Sequence, residues 1–309
     1  MSFREKYNEA LAFKNRDVEE WIDMGFHRRI AALVTASVRP TRVTPNQLTL
    51  TSLCVGLSGS VFLYHAFFGG LRPLEELGRP TLFLCAGLAL LAAVVFDCAD
   101  GQLARVRGGG SLAGRILDGI IDALVLFPAY VILGVGIYRE FGAAWFAVAV
   151  VAGFTSWART IVYDKVKQVY LAHIDPSADG SSGIEPREKV RQHYERAREE
   201  GRPFDRFLLR VYLTYLGVQR RLASGEPDED ESRRLDDGQR RRYRDRHRGT
   251  MRLASFLGLG THMVFIYGSI MAAAIEPKAL IWAQAILVSV FNLALAVVLV
   301  RSRALVETN

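Results

Sequence analysis

Apolar residues fall in six long blocks along this chain, and the charged residues lie almost wholly between them. The blocks run at about 48–68, 80–103, 116–138, 142–163, 253–274 and 279–300. A helix needs ~20 consecutive apolar residues to cross a bilayer, and several of these runs exceed an ordinary buried core helix. The pattern predicts an all-α integral membrane protein with six transmembrane helices. Ahead of the first block, residues 17–39 (DVEEWIDMGFHRRIAALVTASVR) carry Ile22, Phe26, Ile30, Leu33 and Val34 at helical spacing, with Glu19, Glu20, Asp23, Arg28 and Arg29 elsewhere. That spacing predicts an amphipathic helix lying in the membrane interface; a helix packed on the loops is the other reading. Thr44 followed by Pro45 and Asn46 is a helix-start signal, with Thr44 as the cap and Pro45 in the first turn.

Composition sharpens this picture. Half of the 309 residues are hydrophobic, yet the formal net charge is +7, which is possible only if apolar and charged residues are segregated. The charged N-terminus and the late first apolar run predict no signal peptide. Cys54, Cys85 and Cys98 all sit in apolar runs without metal-ligand spacing, so they read as small buried hydrophobes. Basic residues cluster before the first span (Arg28, Arg29, Arg39, Arg42), between the second and third (Arg105, Arg107, Arg115) and in the tail (Arg301, Arg303). The opposite loops hold Arg72 with Arg79, Arg139, and Lys278. Six spans with both ends cytoplasmic satisfy that asymmetry.

The organisation read from these features is a cytoplasmic N-terminus (1–44), spans one to four (45–171), a charged cytoplasmic insert (172–250), and the last two spans with a short tail (251–309). The insert pairs an acidic cluster (EPDEDE, 226–231) with a basic one (RRRYRDRHR, 240–248). Both read as solvated linker or, for the basic run, as attraction to anionic headgroups. Within the insert, Phe207, Val211, Tyr215 and Val218 predict one apolar face of a surface or interfacial helix. No aromatic residues interleave with the basic run in the manner of a nucleic-acid site, and no nucleic-acid partner is expected.

The chemistry concentrates in FDCADGQLARVRGGGSLAGRILDGIID, residues 96–122. Carboxylates inside apolar helices are costly and default to function. Residues three and four apart share a helix face, so Asp97, Asp100, Gly101, Ala104 and Arg105 form one stripe, and Gly114, Asp118 and Asp122 another. The glycines at 108–110 make the turn that lets the two stripes face each other. Four carboxylates in one small volume repel strongly, and hard divalent cations that prefer oxygen ligands, Mg²⁺ or Mn²⁺, resolve the conflict. Gly101, Ala104 and Gly114 leave space beside them, and Arg105 is a fixed cation suited to phosphate. Together these residues describe a site for a nucleotide diphosphate.

The pattern D-x2-D-G-x2-A-R-x8-G-x3-D-x3-D, from Asp97 to Asp122, resembles the signature of the CDP-alcohol phosphotransferase (CDP-alcohol phosphatidyltransferase) family. The resemblance extends over roughly residues 15–165, including TPNQLT ahead of the first span. It implies six transmembrane helices around a polar cavity open to the cytoplasm, a homodimer in a prokaryotic inner membrane, and phospholipid synthesis by release of CMP. It further implies that Asp97, Asp100, Asp118 and Asp122 hold two divalent ions, Mg²⁺ or Mn²⁺, with Asp122 also the general base on the acceptor. Asn46, Thr49, Gly101, Ala104, Arg105, Ser111 and Gly114 would bind the CDP donor, and Arg159 and Lys165 would bind the acceptor.

On this reading the donor is a CDP-linked lipid, CDP-diacylglycerol, and the acceptor a small polar alcohol. The alternatives are a CDP-choline or CDP-ethanolamine type transferase using diacylglycerol, a prenyltransferase, and a divalent-cation transporter. A prenyltransferase places its two aspartate motifs far apart in the chain, whereas Asp100 and Asp118 are close here. A transporter gives no reason for the arginine in the aspartate stripe. The surroundings of Arg159 (GFTSWARTIVYDKVK) match the family's basic pattern only loosely, so snorkelling of Arg159 to headgroups is the competing reading.

Overall fold

The structure, a computed structural model, describes residues 1–12, 15–70, 72–109, 112–174, 187–222 and 235–305. Among them every regular element is helical: α1 (Phe3–Leu11), α2 (Arg28–Val38), α3 (Pro45–Phe68), α4 (Arg79–Val106), α5 (Leu112–Phe141), α6 (Ala143–Ile174), α7 (Arg187–Glu199), α8 (Pro203–Leu222), α9 (Asp237–Ala254), α10 (Leu259–Ala272) and α11 (Ala279–Ser302). Six helical segments are long and apolar enough to cross a membrane, the fifth being α9 and α10 together. Their outer faces leave Phe127 72%, Phe154 71% and Leu293 68% exposed. A water-soluble surface does not carry so many large bare apolar groups; hydrocarbon covers them at no cost. The chain is an integral multi-pass membrane protein.

Helix α3 starts where the sequence signals it. The Thr44 hydroxyl accepts from the Gln47 N–H, and the Gln47 side chain accepts in return from the Thr44 N–H, satisfying two of the donors a helix start leaves open. Small residues bring the spans together: a Cβ on Gly56 would lie 2.4 Å from Val125 on α5, and one on Gly87 would lie 2.8 Å from the Tyr267 carbonyl on α10. At the end of the bundle away from the aspartates, Arg79 pairs with Glu140 and donates to the Ala66 carbonyl, while Arg139 donates to that of Phe67. These contacts tie the ends of α3, α4 and α5.

The segment before the first span departs from the helix expected over 17–39. Residues 16–19 form a turn, and a wide π turn at Asp23–His27 leads into α2. Asp17 and Glu20 are drawn inward instead of lining a helix surface. Asp17 is 1% exposed and accepts from Arg244 Nε at 2.6 Å, Arg248 Nε at 3.0 Å and the Tyr170 hydroxyl at 3.2 Å. Helix α2 buries its small residues Ala31, Ala32, Thr35 and Ala36. It is locked to α4 where the Thr35 hydroxyl donates to Gln102, whose amide donates to the Arg28 carbonyl. Phe26 and Leu33 stay exposed on its other side.

Glu20 also explains why the fifth span is broken where an unbroken run over 253–274 was expected. Its carboxylate accepts from the Gly260 N–H (3.1 Å), the Thr261 N–H (2.8 Å) and the Thr261 hydroxyl (2.9 Å). It therefore caps the open donors at the start of α10 from another part of the chain. A Cβ on Gly258 would lie 2.1 Å from this carboxylate, so glycine is required for the approach.

The charged insert is built into the bundle at both ends. Helix α9, from the basic run expected to be solvated, buries Arg240, Tyr243 and His247. Arg240 donates to the His173 carbonyl at 3.0 Å, and Tyr243 stacks on His173 at 4.4 Å. Helices α7 and α8 form a hairpin whose Val190, Ala197, Leu208, Leu209 and Leu216 pack on Ile116 of α5. The face expected for α8 differs: Phe207 and Val211 are exposed, because the apolar residues span much of the helix circumference and α5 and α7 select the leucine side. Tyr215 still turns inward, its hydroxyl donating to Asp164 at 2.9 Å. The acidic cluster at 226–231 lies outside the described residues.

Burial alone would raise the Asp17 carboxyl; Arg244 and Arg248 outweigh it and hold the group below its ordinary value of 3.8. A group with a depressed folded pKa contributes stability above its unfolded pKa and loses it as pH falls through the folded one. Asp17→Asn is therefore expected to cost roughly 1–2 kcal/mol at neutral pH, in the lower range for charged hydrogen bonds because both arginines are half exposed. Thermal unfolding in detergent checks this: the gap between wild type and variant should close below pH 3.8, and a gap that persists there contradicts the assignment.

Candidate active site

The site forms where α4 ends and α5 begins. The chain reverses through Gly108 and Gly109, at φ +103° and +106°, a backbone region that side chains disfavour. The reversal sets the ends of the two helices side by side. Asp97 and Asp100 on α4 and Asp118 on α5 each place a carboxylate oxygen within 4.8 Å of the others. Asp97 and Asp122 also line one cavity, so all four aspartates gather in one region. Asp100 is buried at 5% exposure and accepts from the Thr49 hydroxyl at 2.6 Å. Asp118 keeps a buried Oδ1 without a hydrogen-bond partner among the described residues.

These features fit a hard divalent cation. Three carboxylates with converging oxygens give the oxygen donor set that Mg²⁺ and Mn²⁺ prefer, and the unpartnered Asp118 oxygen is a ligand atom otherwise left without compensation. Asp97, Asp100 and Asp118 would hold the first ion. Thr49 fixes Asp100 in place, as the groups behind metal ligands commonly do.

Around the cluster, the residues expected to bind the nucleotide donor are distributed as follows. Asn46 is exposed in the first turn of α3, on the same face as Thr49 one turn on. Thr49 itself is occupied with Asp100, a positioning role that the sequence did not reveal. A Cβ on Gly101 would meet nothing nearer than Arg105 Nη1 at 3.9 Å, so the space beside it is open. Ala104 is half-buried and Arg105 exposed, and the Arg105 guanidinium makes no ion pair or hydrogen bond among the described residues. Gly114 lies in the first turn of α5; Ser111 lies outside the described residues.

Arg159 is placed differently from both readings of it. It is 1% exposed and does not reach headgroups. Its guanidinium donates to the Leu287 carbonyl (2.8 Å), Asn292 (2.7 Å), Thr155 (3.2 Å) and Ser156, and lies over the Phe291 ring. It thereby joins α6 to α11. Lys165, further along α6, is also buried. Neither lines the cavity that opens beside the aspartates.

That cavity, about 150 Å³, lies between Asp97, Cys98 and Asp122 on one side and Glu20, Asp23, Leu259 and Gly260 on the other, with Ser52 between them. Burial and the neighbouring Asp23 push Glu20 up to about 8, against the bonds it accepts from Thr261 and Gly260. Asp23 accepts from His27 Nδ1 at 2.8 Å. The available signal for Glu20 and Asp23 was their spacing of three, which places both on one face just before the first span.

Residues 42–179 match the family model for CDP-alcohol phosphatidyltransferase. The match covers α3 to α6 and contains all four aspartates. Members of that family are transferases of substituted phosphate groups. No curated protein and no solved structure matches the chain.

The Thr49–Asp100 contact yields a specific expectation. Thr49→Val keeps the side-chain shape but removes the donor, and it should weaken binding of added Mn²⁺ by roughly 10–100-fold, while Thr49→Ser restores it. Calorimetric titration of Mn²⁺ into the purified protein measures this. Equal affinity in Thr49→Val and wild type contradicts the positioning role.

Proposed function

We propose that this protein transfers a substituted phosphate from a CDP-linked lipid, CDP-diacylglycerol, to a small polar alcohol and releases CMP as a step of phospholipid synthesis. The observation that carries the reading is the convergence of Asp97, Asp100 and Asp118 beside Asp122 within a domain matching this family. The arrangement of basic loops supports an active site on the cytoplasmic side, and the exposed Phe26 and Leu33 beside α2 support its lying at the membrane interface.

Asp97, Asp100, Asp118 and Asp122 would together hold two divalent ions, which when bound neutralise the diphosphate and the departing CMP. The open surface at Gly101 and Ala104 admits the cytidine, with Asn46 approaching from α3, and Arg105 offers its unpaired guanidinium to the diphosphate. Asp122 takes the proton of the acceptor hydroxyl. The alcohol oxygen then forms a bond to the phosphorus bearing the lipid, the bond from that phosphorus to the CMP oxygen breaks, and CMP leaves with the electron pair. Asp122 later returns its proton to solvent.

The test is CMP release from CDP-diacylglycerol by the purified protein in lipid, with and without acceptor and with Mg²⁺ or excess EDTA. Acceptor-dependent release that EDTA abolishes supports the reading; release unaffected by EDTA contradicts the metal assignment. Asp122→Asn should lower kcat by about 10²-fold or more, in the range of general-base contributions, while leaving CDP-lipid binding close to wild type. Loss of donor affinity as severe as in Asp97→Asn would make Asp122 chiefly a metal ligand.

A further inference from the structure

The cavity shared by Asp122 and the N-terminal segment deepens the proposed function and rests on it. Four of its lining residues carry carboxylates, Glu20, Asp23, Asp97 and Asp122, and none is Lys, Arg or His. Most of its polar groups are already committed. The Ser52 hydroxyl donates to the Ala93 carbonyl at 2.9 Å. Glu20 caps α10, and Asp97 belongs to the candidate metal cluster. Asp23 is different: its Oδ1 accepts from His27, and its side chain keeps 16% exposure.

None of the nearby basic side chains lines the cavity. His27 Nε2 meets the Tyr267 hydroxyl at 3.0 Å, and its Nδ1 meets Asp23. Arg28 pairs with Glu19 at 2.8 Å and does not line the cavity. Arg159 is bound between α6 and α11. A phosphorylated acceptor would meet the Asp23 carboxylate and, among the described residues, no lining Lys, Arg or His, an unfavourable like-charge contact. A cavity of about 150 Å³ is also the size that holds a benzene-sized molecule, which suits an alcohol of a few heavy atoms.

We propose that this cavity selects a small amino alcohol as acceptor, with its ammonium group on Asp23 and its hydroxyl directed to Asp122. Asp23 is the specificity-determining residue. An ammonium donates charge-assisted hydrogen bonds to the carboxylate, which a neutral polyol replaces only in part and a phosphate cannot replace.

The full-length protein in lipid vesicles, supplied with CDP-diacylglycerol and Mg²⁺, tests this by CMP release with ethanolamine, choline, glycerol or glycerol 3-phosphate as acceptor. The expected result is a kcat/KM for ethanolamine about tenfold or more above glycerol and glycerol 3-phosphate, the value of one charge-assisted hydrogen bond, with choline, whose quaternary nitrogen has no N–H to donate, below ethanolamine. In Asp23→Asn, which keeps an acceptor for His27, the KM for the amino alcohol should rise about tenfold while that for glycerol moves less than about twofold. Glycerol 3-phosphate used as well as or better than the amino alcohols overturns the inference and leaves the phosphotransfer reading standing. So does an Asp23→Asn variant that shifts all acceptors equally. No CDP-lipid binding and no CMP with any acceptor overturns both. The wild-type ranking decides the question even where the variant fails to fold.

Discussion

Mutual repulsion among Asp97, Asp100, Asp118 and Asp122 is the constraint on which this structure turns. Four carboxylates gathered at the end of a helix pair, beside spans that face hydrocarbon, are stable only with compensating positive charge. Among the described residues, almost none is supplied at that point. Arg105 is exposed at the edge of the stripe, and Arg159 is spent inside the bundle. What the fold does supply is rigidity: the glycine reversal that aligns α4 with α5, the Thr49 hydroxyl on Asp100, and the Thr35–Gln102 lock that seats α2 on α4. The arrangement could hold a divalent cation.

The second organising feature is the way the segment before the first span is held. Asp17 is gripped by Arg244 and Arg248 of α9, and Glu20 caps α10. The end of the charged insert therefore fixes Asp17, three residues before the Glu20 that walls the cavity opposite Asp122. The α7–α8 hairpin approaches the site from the other direction, packing on Ile116 two residues before Asp118. An insert that looks separable in the sequence is mechanically joined to both sides of the candidate active site.

The spans and the aspartate site were legible in the sequence because each rests on local spacing. Apolar runs of sufficient length mark the spans, and the i, i+3 and i+4 positions of the carboxylates, with glycines between the helices, give their convergence. What was not legible depends on partners far away in the chain. The break at Gly258 is made by Glu20, some 240 residues earlier. Arg240, Tyr243 and His247 form a buried stripe inside a run whose average character is strongly polar, so composition conceals it. The face of α8 was ambiguous because apolar residues lie around most of that helix, and only α5 and α7 decide which side is buried. Arg159 looked available because its acceptors, the Leu287 carbonyl and Asn292, lie on α11.

The central claim is that these carboxylates form one cation site. Its most direct test is an anomalous-difference map from crystals of the protein grown with Mn²⁺ and a CDP-linked lipid. The account predicts anomalous density enclosed by Asp97, Asp100 and Asp118, with a second peak toward Asp122. A map with Mn²⁺ bound elsewhere on the protein and no density among these aspartates would contradict it.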